Sequence, residues 1–252
     1  MILDAKSKIA SIVALKIRKM SCYQFIKDAC FLKTTTYVAQ SIITIFFLID
    51  KGSILILICR HGQTEWNLES RKQGWLDSEL TELGKSQATA IQFGLKTFCR
   101  EKRFRVICSP LGRVRSTAKI ALADAQYVTE ITYDDRLKEH GFGAWEGLNS
   151  EEIEVRFPGM QEKRERDCWN FQLPEGESFA LLENRLTSFL NDIDKSEDIL
   201  LFCHEMVSKT LRKILLNLSE HQTLALSHDQ FSFFVIDNKQ MHQYNCNPIL
   251  HS

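Results

Sequence analysis

Residues 54–67 of this 252-residue chain read ILILICRHGQTEWN, an apolar run that ends in polar residues. The first six are all apolar, and a short run of this kind between Gly52 and a charged loop is typical of a strand buried on both faces. Arg60, His61 and Asn67 then place a guanidinium, an imidazole and an amide close to the end of that strand. The stretch therefore predicts a buried strand with chemically active side chains at its carboxyl end.

After residue 67, strand patterns and helix patterns alternate along the rest of the chain. Apolar residues recur at helical spacing after Thr81 and after Ser178, and both residue types are common helix N-caps. The alternation predicts an α/β fold: a single domain with a mostly parallel central sheet and helices on both faces. The predicted strands are 54–59, 105–109, 127–133, 199–203, and a hairpin of 231–236 and 241–244 across 237–240; the predicted helices are 81–98, 111–125, 150–157, 178–195 and one after 204.

Three groups of polar residues follow predicted strands of this sheet. Arg60 and His61 follow the first, residues 109–113 (SPLGR) follow the second, and His204 follows the fourth. Ligands of such sheets bind beyond the carboxyl ends of the strands, and Arg113 falls on the first turn of a helix, where free N–H groups favour an anion. Two Arg and two His side chains at one place would repel each other without a dianion between them. We therefore predict a site for a phosphoryl group.

The sequence motifs resemble those of the histidine phosphatase superfamily, which includes the cofactor-dependent phosphoglycerate mutases, over residues 54 to about 246. RHGQTEWN at 60–67 matches the family pattern R-H-G-x-T-x-x-N, and SPLGRVRST at 109–117 resembles S-x-x-x-R-A-x-x-T, with Val114 where Ala is usual. LKE at 137–139, followed by GFGAWEG at 141–147, resembles the loop that carries the family's acid, and PEGES at 174–178 resembles P-x-G-E-S. His204 stands where the second histidine is expected, and it is followed by Glu205 in place of the usual glycine.

The resemblance implies a mechanism with a covalent intermediate. His61 would attack phosphorus and become phosphohistidine, while Arg60, Arg113, His204 and Asn67 hold the phosphoryl oxygens. Glu139 would protonate the leaving oxygen and later take a proton from water, with Glu130, Glu146 and Glu205 as other candidates for the acid. No metal and no cofactor is expected. The predicted substrate-binding residues are Gln63, Thr64, Asn67, Gly74 and Glu205.

Hydrolysis and phosphoryl transfer are the two activities that the resemblance leaves open. Phe142 and Ser150 stand where the mutases have Tyr and Lys, and only 64 residues separate Glu139 from His204, which leaves no room for the long basic insertion of true mutases. These features favour a phosphatase acting on a small phosphomonoester, with mutase activity as the alternative. A non-catalytic phosphate-binding protein is a further alternative, against which the retention of the reactive residues argues.

Composition limits the partners and the compartment. The chain has 32 basic and 32 acidic residues, so no overall positive field favours nucleic acid. Eight cysteines without a C-x-x-C spacing indicate a reducing environment, and hence a cytoplasmic protein. The partner expected is a small phosphorylated metabolite, and the sequence does not indicate an oligomeric state.

Residues 1–53 form a basic leader, with eight basic and three acidic residues. Its longest apolar run, 42–49, is too short to span a membrane. We expect the leader to lie outside the catalytic domain of residues 54–252, either as a basic amphipathic helix at a membrane surface or as translated upstream sequence.

Several other residues have two interpretations. Cys59 and Cys203, with His61 and His204, could form a zinc site, although alternation along strands favours buried structural thiols. In the variable stretch 151–173, basic residues could contact a second anionic group of the substrate or belong to a solvated helix face. Those basic residues are Arg156, Lys163, Arg164 and Arg166, and the histidines interpreted as surface residues are His221, His228, His242 and His251.

Overall fold

The computed structural model describes residues 54–100, 102–194 and 196–246. The leader 1–53 and His251 lie outside the described residues, and so do the predictions made for them. The strands are β1 (Ile56–Arg60), β2 (Phe104–Cys108), β3 (Val128–Tyr133), β4 (Asp198–Cys203), β5 (Ser232–Asp237) and β6 (Gln240–Asn245). The helices are α1 (Glu65–Leu68), α2 (Glu82–Phe98), α3 (Gly112–Ala121), α4 (Ser150–Arg156), α5 (Met160–Arg166), α6 (Phe179–Asp192), α7 (Glu205–Leu216) and α8 (Glu220–Leu224).

The six described strands form one sheet in the order β3-β2-β4-β1-β5-β6. The pairs β2–β3, β2–β4 and β1–β4 are parallel, whereas β5 pairs antiparallel with both β1 and β6. The prediction of a mostly parallel sheet is therefore confirmed. The order also places β1 and β4 side by side at the centre, so that the loops following them are neighbours.

Helices cover both faces of the sheet, as the sequence predicts. Along β1, Leu57 and Cys59 face one core cluster while Ile56 and Ile58 face the other. The first cluster includes residues of α2 and α3, and the second includes residues of α6 and α7. Burial on both faces explains why β1 and β4 are nearly continuous apolar runs. None of the helices in the described ranges has both the length and the apolar composition needed to cross a bilayer.

The predicted hairpin is present, with a shorter turn than expected. β5 extends to Asp237 and β6 begins at Gln240, which leaves Asn238 and Lys239 as the turn. Both turn residues have positive φ angles, 44° and 63°, as in a two-residue type I′ connection. The strands therefore continue one residue further at this end than hydrophobicity alone indicates.

The short helices α1 and α8 were not predicted from the sequence, and α5 lies in the stretch 151–173, for which a solvated helix face was one of two interpretations. Helices of four to seven residues are too short to show a full hydrophobic period, and α1 and α5 have no buried residue. Capping defines α1 and α8: in α1 the Thr64 hydroxyl accepts from the backbone N–H of Asn67, whose side chain in turn accepts from the N–H of Thr64.

Candidate active site

The carboxyl ends of β1, β2 and β4 bring together the polar groups that follow these strands. The backbone N–H of His61 donates to the carbonyl of Cys203 at 3.1 Å, and that of Ser109 donates to the carbonyl of Phe202 at 2.9 Å. The rings of His61 and His204 are consequently edge to face, with their centroids 5.3 Å apart. The structure therefore juxtaposes the two predicted histidines.

His61 is held in one tautomer and one orientation. Its Nδ1 lies 2.8 Å from the carbonyl oxygen of Gly62, and because a carbonyl only accepts, Nδ1 carries the proton. Nε2 has no hydrogen-bond partner among the described residues. Burial, together with the charges of Arg113 and Arg60, lowers the pKa of His61 well below its usual range. The imidazole is therefore neutral near pH 7, with a free lone pair on Nε2.

Gly62 allows the loop that carries His61 to pack closely on α2. A Cβ at this position would lie 2.3 Å from the carbonyl oxygen of Gly84. The N–H of Gly62 donates to the Thr117 hydroxyl at 3.0 Å, and that hydroxyl donates to the carbonyl of Arg113 at 2.8 Å. Thr117 therefore connects the loop after β1 to helix α3.

Both predicted arginines are oriented by backbone carbonyls. Nη1 of Arg60 donates to the carbonyl of His228 at 2.7 Å. Arg113 is 2% exposed; it donates to the carbonyls of Leu76 and Gly74 at 2.7 and 2.8 Å and pairs with Asp77 at 2.8 Å. These contacts fix the planes of both guanidinium groups without using all of their N–H groups.

Three buried nitrogen atoms around the site have no hydrogen-bond partner in the described part of the chain. They are Nε of Arg60, Nε of Arg113 and Nδ1 of His204. The other ring nitrogen of His204, Nε2, lies 2.8 Å from the Ser109 hydroxyl. Leaving a buried donor unsatisfied costs about 1–3 kcal/mol, so such groups are expected to have a partner in the functional state. An anion with several acceptor oxygens would supply it.

Glu139 lies in the same pocket, and its main chain is fixed from two sides. Its carbonyl accepts from Nε1 of Trp75 and from Nη2 of Arg185, both at 2.9 Å. Arg185 in turn pairs with Glu177 of the PEGES segment at 2.8 Å. Burial raises the pKa of Glu139, while the N–H of His140 and the charges of Arg113 and Arg60 oppose the rise. Of the acid candidates, Glu139 and Glu205 line the pocket.

The pocket has a volume of about 240 Å³, below the range of typical drug-sized sites. It has room for a small phosphomonoester. Of the predicted binding residues, Asn67, Gly74 and Glu205 line it, whereas Gln63 and Thr64 do not. The Gln63 side chain accepts from the Thr81 hydroxyl at 3.0 Å. The lining residues are Arg60, His61, Asn67, Ser70, Arg71, Lys72, Gln73, Gly74, Arg113, Glu139, Phe142, Glu205 and Met206.

Gly74 has a structural reason to be glycine. Its φ is +54°, and a Cβ there would lie 2.0 Å from Oε1 of Glu146. The same Glu146 oxygen accepts from the N–H groups of Trp75 and Phe142 at 2.9 and 3.1 Å. Glu146 therefore ties the segment after α1 to the acid-bearing loop.

Glu205, which replaces the usual glycine, contacts Arg60 directly. Its Oε2 lies 2.9 Å from Nη1 of Arg60, and its Oε1 lies 3.3 Å from Lys209. The carboxylate thus partly neutralises a group predicted to hold phosphate.

The prediction that His228 is a surface residue is wrong. It is 1% exposed, its Nδ1 lies 2.7 Å from the Ser208 hydroxyl, and its Nε2 donates to the carbonyl of Ser232 at 3.1 Å. Burial lowers its pKa to about 3, so the ring is neutral. The backbone of this fixed residue positions Arg60. A single histidine in an irregular segment gives no periodic signal from which burial could be predicted.

The zinc alternative is not supported by the arrangement of the thiols. Cys59 belongs to the core on one face of the sheet and Cys203 to the core on the other. In the described ranges, no group of three or more His, Cys, Asp or Glu side chains is placed to bind a metal ion. Burial raises the pKa of both thiols, as expected for structural cysteines.

The basic residues of the variable stretch belong mainly to a solvated surface. Arg156, Lys163 and Arg166 are exposed, and Arg166 pairs with Glu162 within α5. Arg164 is half-buried, and its charge lowers the pKa of Lys72 in the pocket. Only Arg164 of this group therefore acts on the site.

Comparison with known proteins agrees with the geometry. The family model described as Histidine phosphatase superfamily (branch 1) matches residues 56–244. Phosphoserine phosphatase 1 of Hydrogenobacter thermophilus (strain DSM 6534 / IAM 12695 / TK-6) is 28% identical over 186 residues, 73% of this chain and 86% of that protein. Probable phosphoglycerate mutase GpmB of Yersinia pestis (strain Pestoides F) is 32% identical over 169 residues, 66% of this chain and 76% of that protein. The structure of mycobacterial glucosyl-3-phosphoglycerate phosphatase in complex with VO3 aligns with a TM-score of 0.64 and 26% identity, over 77% of this chain and 99% of that chain.

Proposed function

The chain belongs to the histidine phosphatase superfamily, and from this premise we propose that it is a metal-independent phosphatase that hydrolyses a small phosphomonoester through a phosphohistidine on His61. The observation that carries the proposal is the set of unsatisfied buried nitrogens around a neutral histidine whose Nε2 is free. This arrangement pairs a nucleophile with donors for the oxygens of a phosphoryl group. The volume of the pocket, about 240 Å³, suits the phosphoryl end of a small substrate.

In the first half of the proposed reaction, Nε2 of His61 attacks phosphorus and the bond from phosphorus to the ester oxygen breaks. Glu139 donates its proton to that oxygen, which leaves as an alcohol. The raised pKa of Glu139 favours the protonated carboxyl that this step needs. In the second half, water attacks the phosphohistidine, Glu139 takes the proton of the water, and inorganic phosphate leaves with His61 restored.

Arg60, Arg113 and His204 hold the phosphoryl oxygens throughout this cycle. When the Ser109 hydroxyl donates its proton to Nε2 of His204, Nδ1 carries the ring proton and is a buried donor without a hydrogen-bond partner among the described residues. Burial and the charges of Arg113 and His61 lower the pKa of His204 well below its usual range, so the ring binds as a neutral donor. Catalysis then depends mainly on positioning and on fixed charge.

Mutase activity is the second candidate, because a relative named as a phosphoglycerate mutase is 32% identical to this chain. A mutase must protect its phosphohistidine from water until the second substrate binds. Phe142 lacks the hydroxyl of the Tyr that the mutases have at this position, and Ser150 lacks the ammonium of their Lys. We therefore rank hydrolysis first.

The decisive experiment measures phosphate release by the full chain from a panel of small phosphomonoesters in EDTA. We expect turnover that His61→Ala lowers by at least about a thousandfold. The matched control is His221→Ala, which changes an exposed histidine of α8 and should retain full activity. Equal turnover by His61→Ala and the wild type would refute the proposal, and exchange between phosphoglycerate isomers without net hydrolysis would establish the mutase instead.

We also propose that residues 54–252 form the catalytic domain and that the basic leader lies outside it. Support comes from the described residues, which by themselves form a six-stranded sheet with a hydrophobic core cluster on each face. Expression of residues 54–252 alone should give an active protein, and an insoluble product would contradict this proposal. Vesicle sedimentation of the full chain and of residues 54–252 measures whether the leader binds membranes.

We propose a cytoplasmic location on the basis of cysteine chemistry. The six described cysteines, at positions 59, 99, 108, 168, 203 and 246, are free thiols, and all but Cys168 are buried. Free thiols persist in a reducing compartment. Fractionation of cells that express the full chain tests the location, and recovery outside the cytoplasmic fraction would contradict it.

A further inference from the structure

The cations that line the pocket differ in how fully they are satisfied. Arg60 and Arg113 each keep a buried Nε that has no hydrogen-bond partner among the described residues. Arg71 has acidic partners: its Nε donates to Glu69 at 2.7 Å, and its Nη1 donates to Glu152 at 2.6 Å and to the carbonyl of Gly147 at 2.7 Å. Lys72 is the exception, because no acidic side chain among the described residues lies within ion-pair distance of its Nζ.

The main chain of Lys72 is fixed relative to the acid-bearing loop. Its N–H donates to the carbonyl of Leu148 at 2.9 Å, and its carbonyl accepts from the N–H of Gly147 at 2.8 Å. The ammonium lies 6.0 Å from the centre of the Phe142 ring, which also lines the pocket. The two backbone hydrogen bonds and the contact with Phe142 place the Lys72 side chain at the pocket wall without neutralising its charge.

The protein groups around Lys72 make its surroundings unfavourable for a cation. Burial and the neighbouring charge of Arg164 lower the pKa of Lys72, and Glu205 opposes this. Glu205 is already engaged by Arg60 and Lys209, so it does not serve as a dedicated partner. An additional anion in the pocket would form with the Lys72 ammonium the ion pair that the protein itself does not supply.

We propose that Lys72 determines substrate specificity by binding a second anionic group, so that the substrate is a small phosphomonoester that also carries a carboxylate or a second phosphate. The phosphoryl group under attack occupies the cluster of Arg60, Arg113 and the two histidines, and the second anion contacts Lys72. The inference rests on the proposed function, because it assigns the remote part of the substrate in the same pocket.

The test uses three substrates with one three-carbon skeleton. Each carries a phosphate ester at one end, and the other end is a hydroxyl, a carboxylate or a second phosphate ester. The wild-type full chain should hydrolyse at least one of the two doubly anionic compounds with a kcat/KM about 10- to 100-fold above that of the hydroxyl compound. The ranking of the carboxylate and the bisphosphate distinguishes the two sources of the second anion.

Variants of Lys72 test whether its side chain binds the second anion. Lys72→Met should reduce the selectivity ratio to near one, mainly through KM, and Lys72→Arg should restore most of it because the charge returns. The control is Lys85→Met, which removes a lysine of α2 that pairs with Glu82 and does not line this pocket. An unchanged selectivity ratio in Lys72→Met would overturn the inference, even if all three compounds are hydrolysed.

Binding measured by calorimetry separates this inference from the proposed function. The full chain with His61→Ala binds the three compounds without consuming them, and the doubly anionic ones should bind more tightly only when Lys72 is present. Equal binding of all three compounds would overturn the inference. Absence of turnover by the wild type, together with a binding preference that depends on Lys72, would instead refute hydrolysis and leave the anion site established.

Discussion

At the residue scale, the environments of His61 and Glu139 shift their pKa values in opposite directions. Burial and two arginines lower the pKa of His61, which keeps the nucleophile unprotonated. Burial raises the pKa of Glu139, which favours the protonated acid. Opposite shifts of two groups in one pocket are typical of a nucleophile and a general acid.

These directions predict the pH dependence of kcat/KM. Activity is lost as pH falls through the lowered pKa of His61 and as pH rises through the raised pKa of Glu139, so kcat/KM should pass through a maximum between the two. Glu139→Gln should remove the alkaline limb and lower kcat for alkyl phosphates about 100-fold, with a much smaller loss for aryl phosphates. Glu130→Gln, at an exposed site, is the control. An alkaline limb that persists in Glu139→Gln would assign the acid elsewhere.

Glu205 predicts a second effect at the residue scale. Its carboxylate lies 2.9 Å from Nη1 of Arg60 and therefore competes with the oxygens of a bound phosphate. Glu205→Gln should lower the inhibition constant of inorganic phosphate about fivefold. Steady-state inhibition measures this, with the exposed Glu220→Gln as the control. Weaker phosphate inhibition in Glu205→Gln would show that the carboxylate instead supports Arg60.

At the scale of elements, helix α3 depends on a side chain from a distant loop. Its N-cap residue, Leu111, has no capping side chain, and Asp77 accepts from the N–H groups of Gly112 and Arg113 at 2.6 and 3.2 Å. The same carboxylate pairs with the guanidinium of Arg113. One residue therefore both caps the helix and orients a phosphate ligand.

Replacing Asp77 should consequently affect both stability and function. Asp77→Ala should lower the free energy of unfolding by about 1–2 kcal/mol and raise KM, because the cap and the contact with Arg113 are lost together. Urea unfolding and steady-state kinetics measure the two effects. Ser219→Ala removes the cap of α8 away from the pocket, and it should lower stability without changing KM. A KM for Asp77→Ala equal to that of Ser219→Ala would contradict the second role.

At the scale of the whole molecule, the four histidines that are buried among the described residues make folding sensitive to acid. Burial lowers the pKa of His140 to about 4 and that of His228 to about 3, and the pKa values of His61 and His204 lie well below 6.5. Because each folded pKa is below the unfolded value, the native state binds fewer protons than the unfolded chain in this window. The stability contributed by neutral histidines is present above about pH 6.5 and is lost as pH falls toward the folded values.

We therefore expect the free energy of unfolding to fall steadily from pH 6.5 to pH 4. Urea titrations at a series of pH values measure this slope. His140→Phe should reduce the slope, because a phenyl ring retains the stacking on Phe179 and cannot be protonated. His221→Phe, at an exposed position, should leave the slope unchanged, and equal slopes for both variants would contradict a role of buried histidines.

The order of strands and helices, the mostly parallel sheet and the motifs at the carboxyl ends of its strands could all be predicted from the chain alone. These features depend on the periodicity of apolar residues and on residues adjacent in the chain, which are local signals. Arg60, His61, Arg113 and His204 could therefore be predicted as neighbours, as could the hairpin of β5 and β6.

The partners that orient these residues, and the other residues that line the pocket, depend on the packing of loops that are distant in the sequence. The carbonyl that fixes Arg60 comes from His228, 168 residues away, and the groups that fix Arg113 lie 36 to 39 residues before it. The unpaired Lys72, the interaction of Glu205 with Arg60 and the burial of His228 are likewise consequences of loops packing together. Such contacts have no period and no fixed spacing in the chain, because they depend on where the sheet brings separate loops to the same edge.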